Sequence, residues 1–129
     1  MVIDTSAVVA ILINEPDCEC YIHALDRADS VQMSAASVLE VSMVVESRFG
    51  ETAHLHLDKW IITAAVEVIV VTRDQVEAAR EGFRRFGKGR HPAALNFGDC
   101  FSYGLAKMLG EPLLFRGGDF SQTDIRSAL

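Results

Sequence analysis

The spacing of apolar and polar positions changes several times along the chain, and each change marks an element. Val2 and Ile3 precede Asp4-Thr5-Ser6 and an apolar run to Ile13, which predicts a short buried strand followed by a helix. Asp4 then falls at the strand's C-terminal end. Pro16 breaks that helix, and Asp17 to Arg27 forms a second amphipathic segment with Tyr21, Leu25 and Ala28 at helical spacing. Together they predict a helical hairpin. Val31-Gln32-Met33 predicts another short strand, and Ser34 opens a long helical run through Arg48 that Gly50 ends. Thr52 to Ala65 predicts a further helix with Leu55, Trp60 and Ile61 inward, and Val68 to Val71 has the β-branched character of a core strand.

Arg73 to Phe86 returns to a helical period, with Val76, Ala79, Phe83 and Phe86 on one apolar stripe. The stretch GKGRHPAAL, Gly87 to Leu95, is the clearest loop. Helix resumes near Phe97 and runs to Leu109, where Gly110 and Pro112 stop it. Leu113-Leu114-Phe115 makes a last strand, and Gly117-Gly118-Asp119 turns out of it. Strands alternating with helices predict an α/β fold of three layers, α/β/α, around a central, mostly parallel sheet of four or five short strands joined by right-handed crossovers. Folds of this kind place their sites at the C-terminal ends of the strands.

Composition narrows the picture. The 129 residues fit one domain, residues 1–129, able to bury roughly two thirds of the surface its unfolded form exposes. The longest apolar stretches fall far short of the roughly 20 residues that span a bilayer, so no membrane association is expected. The N-terminus lacks a basic leader and carries Asp4, which makes the cytoplasm the expected location. Cys18, Cys20 and Cys100 are an odd set without zinc-ligand spacing and read as reduced, packed thiols. A net charge of −6 argues against nonspecific coating of nucleic acid, so any RNA must be bound locally. The densest basic run is Arg80, Arg84, Arg85, Lys88, Arg90 and His91. Its helical arginines are equally well read as a solvated face, with Arg85 pairing Glu81, which leaves Lys88 and Arg90 as the better RNA contacts.

Four carboxylates stand out by position: Asp4 after the first strand, Glu40 within a helix, Asp99 at a helix start and Asp119 after the last strand. Convergence at one edge of the sheet would suit a hard divalent cation, which takes oxygen ligands and keeps several waters. Glu40 is the most telling, because Ala36, Ser37, Met43 and Val44 surround it on the helix and no Lys or Arg offers a local partner. Capping explains the same residues singly: Ser37-x-x-Glu40 and Asn96-x-x-Asp99 match the capping box, and Asp4 suits an N-cap. Sequence alone leaves both readings open.

The start VIDTSA, the S-x-x-E helix at Ser37 to Glu40 and NFGDC at Asn96 to Cys100 resemble PIN domains, and the resemblance spans the whole chain. No one of these motifs is decisive; their ordered combination is specific. Within that family the chain looks most like the VapC toxins of bacterial toxin-antitoxin pairs. The resemblance implies a metal-dependent endoribonuclease that hydrolyses RNA phosphodiester bonds. Asp4, Glu40 and Asp99 would form its acidic site, with Asp4 and Asp99 as direct ligands of Mg²⁺, or of Mn²⁺. It also implies a VapB-type antitoxin as partner and self-association as a homodimer. The family's usual Thr and Asp after the last strand correspond here to Phe115 and Gly117. Asp119 is the nearest carboxylate for the fourth catalytic role, the alternative being a cap through Asp119-x-x-Gln122. Thr5 and Ser6 are supporting candidates whose hydroxyls would orient Asp4 or a metal-bound water, and Asn96 would hold Asp99 or a phosphate, with backbone capping as the equally open alternative for each.

Two other classes remain. A phosphatase of the haloacid-dehalogenase kind also begins with a strand ending in Asp but needs a second Asp two residues on, where this chain has Ser6. A noncatalytic α/β binding module would use the carboxylates as caps and show no response to metal.

Overall fold

A computed structural model describes all 129 residues. Four strands, β1 (Val2–Ile3), β2 (Val31–Ser34), β3 (Val66–Ile69) and β4 (Leu113–Leu114), form one sheet in the order β3-β2-β1-β4. Every pairing is parallel, with Val2 opposite both Gln32 and Leu113. Six helices connect and cover them: α1 (Thr5–Leu12), α2 (Cys18–Asp26), α3 (Ala35–Phe49), α4 (His54–Thr63), α5 (Arg73–Phe86) and α6 (Phe97–Leu109). No helix is long and apolar enough to cross a membrane.

The layering follows from the two-residue period of a strand. Neighbouring side chains point to opposite faces, so Ile3 and Leu114 join one apolar cluster with Val8, Tyr21, Met33, Val41 and Leu57, while Val2 and Leu113 join another with Phe86, Tyr103, Leu105 and Phe120. A strand buried on both sides must be apolar throughout, as β1 and β4 are. Helices α1 to α4 supply the first cluster, and α5 and α6 supply the second. The last pair approach closely because glycines face their partners: a Cβ on Gly82 would collide with the Tyr103 ring, and one on Gly104 with the Gln75 carbonyl.

Several expectations change. The 52–65 segment is not one helix but a 3-10 turn, Glu51–Ala53, followed by α4. This phase puts Leu57 fully inside and leaves Leu55 exposed, while Trp60 and Ile61 pack partly against the core. The apolar run 68–71 is not a core strand: β3 begins earlier, lies at the sheet edge and exposes Val68. The stripe on α5 is buried only at Ala79 and Phe86, with Val76 and Phe83 at the surface. Cys20 is exposed, not packed, although all three thiols are free. Arg85 pairs Asp124 at 2.8 Å, and Glu81 is taken by Arg84.

Candidate active site

The parallel sheet delivers Asp4 to the C-terminal end of its central strand, where it is the N-cap of α1. It is a buried carboxylate with three donors. The Ser6 amide and hydroxyl reach Oδ2 at 2.9 and 2.6 Å, and the Ser102 hydroxyl reaches Oδ1 at 2.6 Å. Ser6 also accepts from the Arg116 amide, which ties the exit of β4 to the same corner. All these partners are neutral, so the negative charge is solvated by hydrogen bonds but not cancelled.

Glu40 comes from the second turn of α3. The helix is capped by Ser34, which accepts from the Ala36 amide, so Ser37 is three residues inside it and does not form a capping box with Glu40. Ser37 is buried against Ser102 at 3.3 Å. Glu40 is freed from any capping duty and points toward α1, where the Thr5 hydroxyl donates to Oε2 at 2.7 Å and not, as expected, to Asp4, which Ser6 alone of the two serves. The α6 backbone lies against the same carboxylate at Gly98, so closely that a Cβ there would collide with it.

Asp99 stands in the first turn of α6 and completes the capping box with Asn96: the Asn96 amide donates to Oδ2 at 2.7 Å, and the Asp99 amide to the Asn96 side chain at 3.1 Å. Burial pushes its carboxyl up to about 6. The charges of Asp4, Asp119 and Glu40 push the same way against the stabilising Asn96 hydrogen bond. Asp119 is exposed at the start of the turn Phe120–Gln122, and its side chain makes no capping bond there. The alternative role as a cap is therefore not taken up.

Asp99 thus feels the charges of Asp4, Glu40 and Asp119, and none of the four carboxylates takes part in an ion pair. The pairs of this molecule lie elsewhere, including Arg116 with Asp17 and Glu15. No three carboxylate, histidine or cysteine side chains enclose a cation-sized space by themselves. The donor set is nevertheless all oxygen and carries excess negative charge. That suits an ion such as Mg²⁺, which is held by one or two carboxylates and fills its remaining positions with water and phosphate.

Lys88 and Arg90 lie in the loop that leads into α6. Lys88 makes no ion pair, and the Arg90 guanidinium sits 5.3 Å from the Phe83 ring centroid. His91 accepts from the Ala93 amide and folds that loop. Cys100 lies on the α5 side of α6, away from any nucleophilic role. Sequence reasoning missed Ser102 and Gly98. Ser102 follows Asp99 by three residues and so shares its helix face, a signal that was legible; nothing local marks Gly98.

The family profile described as PIN domain matches residues 1–126. The chain is 56% identical over 125 residues to Ribonuclease VapC30 of Mycobacterium tuberculosis, covering 97% of this chain and 95% of that protein. Among solved structures, it resembles the Mycobacterium tuberculosis toxin VapC20, described as cleaving the sarcin-ricin loop, with a TM-score of 0.76 at 21% identity over 96% and 95% of the two chains. It also resembles a chain of a toxin-antitoxin complex from Klebsiella pneumoniae, with a TM-score of 0.70 at 14% identity over 95% and 92%. At those identities the two structures speak for the fold alone.

Proposed function

The chain belongs to the PIN-domain family and within it to the VapC ribonucleases, and on that premise we propose that it is the endoribonuclease toxin of a VapBC pair. The reaction is hydrolysis of RNA phosphodiester bonds with the help of Mg²⁺, or Mn²⁺, held by Asp4 and Asp99. The observation that carries the reading is that Asp4, Glu40, Asp99 and Asp119 have no cationic partner, while the charges of the other three reach Asp99, whose carboxyl is pushed up to about 6 mainly by burial.

A bound divalent ion supplies Lewis acidity at the scissile phosphate and offsets the charge of the carboxylates. Asp4 is held rigidly by Ser6 and Ser102 and fixes one side of the site. Asn96 aims Asp99 from the other side. Thr5 holds Glu40 through Oε2, and the carboxylate orients the water and takes its proton as the water attacks phosphorus in line. The bond from phosphorus to the leaving ribose oxygen breaks, and that oxygen takes a proton from solvent. Asp119 adds negative charge at the open edge. Lys88 and Arg90 take RNA phosphates, since they belong to the one basic segment of an acidic chain. A VapB-type antitoxin is the partner that restrains this activity, and the toxin pairs with a second copy of itself.

Incubating the protein with a mixed RNA pool, with Mg²⁺, Mn²⁺ or EDTA and beside an Asp99→Asn variant, tests the reading. Cleavage that needs both metal and Asp99 is the expected result. Cleavage that persists in EDTA or in the variant would count against it. A noncatalytic module keeps one point in its favour, the complete Asn96–Asp99 capping box, and it predicts intact RNA in every lane.

A further inference from the structure

Helices α5 and α6 leave between them an apolar groove of about 620 Å³. Its α6 wall carries Phe97 and Phe101, which bracket Asp99 in the sequence, and its α5 wall carries Phe83. Phe97 is 81% exposed, more than any other large apolar side chain. Nothing in the core requires it. Its ring meets Phe101 edge to face, with centroids 4.9 Å apart and planes at 86°, so at least one face of Phe97 is open whichever ring presents its edge.

Three guanidinium groups edge the same groove. Arg80 and Arg84 line it, and Arg90 lies over Phe83. Arg80 and Arg84 are paired with Glu77 and Glu81 one turn away, at 3.1 and 2.7 Å. These exposed pairs have little net worth, and a phosphate can displace them. In a chain of net charge −6, an aromatic platform edged by arginines, whose Phe97 adjoins in sequence the Gly98 that lies against Glu40, has the chemistry of a single-stranded nucleic-acid subsite. Bases stack on the rings while cations follow the backbone.

We propose that this groove receives an unpaired nucleobase flanking the scissile phosphate of RNA, with Phe97 as its stacking platform and Arg80 and Arg84 on the adjoining phosphates. The proposal rests on the ribonuclease reading and adds a residue that selects single-stranded substrate. A paired base cannot reach Phe97 without leaving its stack, so the groove favours loops and unpaired segments.

The test uses Asp99→Asn protein, which removes cleavage, and a fluorescently labelled pool of RNA hairpins with mixed-sequence loops, read by anisotropy. Adding Phe97→Ala is expected to weaken binding roughly 5- to 100-fold, whereas Phe97→Trp retains it. Arg84→Gln should lower the salt slope by about 1. Thermal melting of each variant checks that the fold is intact, which the exposure of Phe97 favours. Unchanged RNA affinity in Phe97→Ala overturns the proposal. So does a Phe97→Ala effect confined to self-association or to antitoxin binding, which would make the groove a protein-docking surface. If the wild-type chain cleaves the pool with Mg²⁺ but Phe97→Ala binds it normally, only the groove assignment falls. If the pool is neither cleaved nor bound, both readings fall together.

Discussion

The Ser102 hydroxyl donates to Oδ1 of Asp4 over 2.6 Å, joining residues 98 positions apart in the chain. This bond locks α6 to the end of β1 and fixes the carboxylate at the centre of the site. Both groups are buried, so Ser102→Ala leaves a charged oxygen without its donor. A loss of about 1.5–3 kcal/mol in unfolding free energy is expected, with divalent-ion affinity down roughly 10- to 100-fold. Denaturant melts and calorimetric titration with Mn²⁺ read the two effects. Unchanged values in both would show that Ser102 merely fills space.

Gly98 makes a different kind of prediction. A methyl group there strikes the Glu40 carboxylate and not the core, so Gly98→Ala should lower RNA cleavage at least 10-fold while shifting stability by less than about 1 kcal/mol. Paired cleavage rates and melts decide it. An active, normally stable variant would mean that the Glu40 position is unimportant.

Asp99 links the site to pH. Its carboxyl titrates near 6 in the folded chain against roughly 3.9 when unfolded. Between these values the native state holds a proton that the unfolded state has released. The contribution is therefore fully present below about pH 4 and is lost as pH rises through 6. Without divalent metal, stability should fall over that window by on the order of 1–2 kcal/mol, allowing for solvent screening. Asp99→Asn should remove the slope, which denaturant melts across the window measure.

Much of this fold is legible in the sequence because its strands are buried on both faces. Val2-Ile3 and Leu113-Leu114 announce themselves as apolar pairs beside Asp and Gly signals, and Pro16, Ser34, Gly50 and Gly110 set the helix limits that the structure shows. Where the chain is partly exposed the pattern misleads. Val68 is β-branched yet lies on an edge strand, and a 3-10 turn before α4 shifts the phase enough to exchange Leu55 for Leu57. The site shows the same division. Asp4, Glu40 and Asp99 are marked by position, but whether each is a cap or a ligand depends on contacts across the fold. Ser34 takes the capping role that Ser37 promised and so releases Glu40 to Thr5. Asp99 keeps its cap and still feels the other three charges.

The most direct test of the cation site is thermal melting at pH 7.5 with and without Mg²⁺, on the wild-type chain and on Asp4→Asn and Asp99→Asn variants. A cation that neutralises the carboxylate cluster binds only the folded chain, so wild-type melting should rise with Mg²⁺ concentration and fall back with EDTA, while each variant loses most of that rise. A wild-type melting temperature indifferent to Mg²⁺, or a rise of equal size in both variants, would contradict the metal site assigned to Asp4 and Asp99.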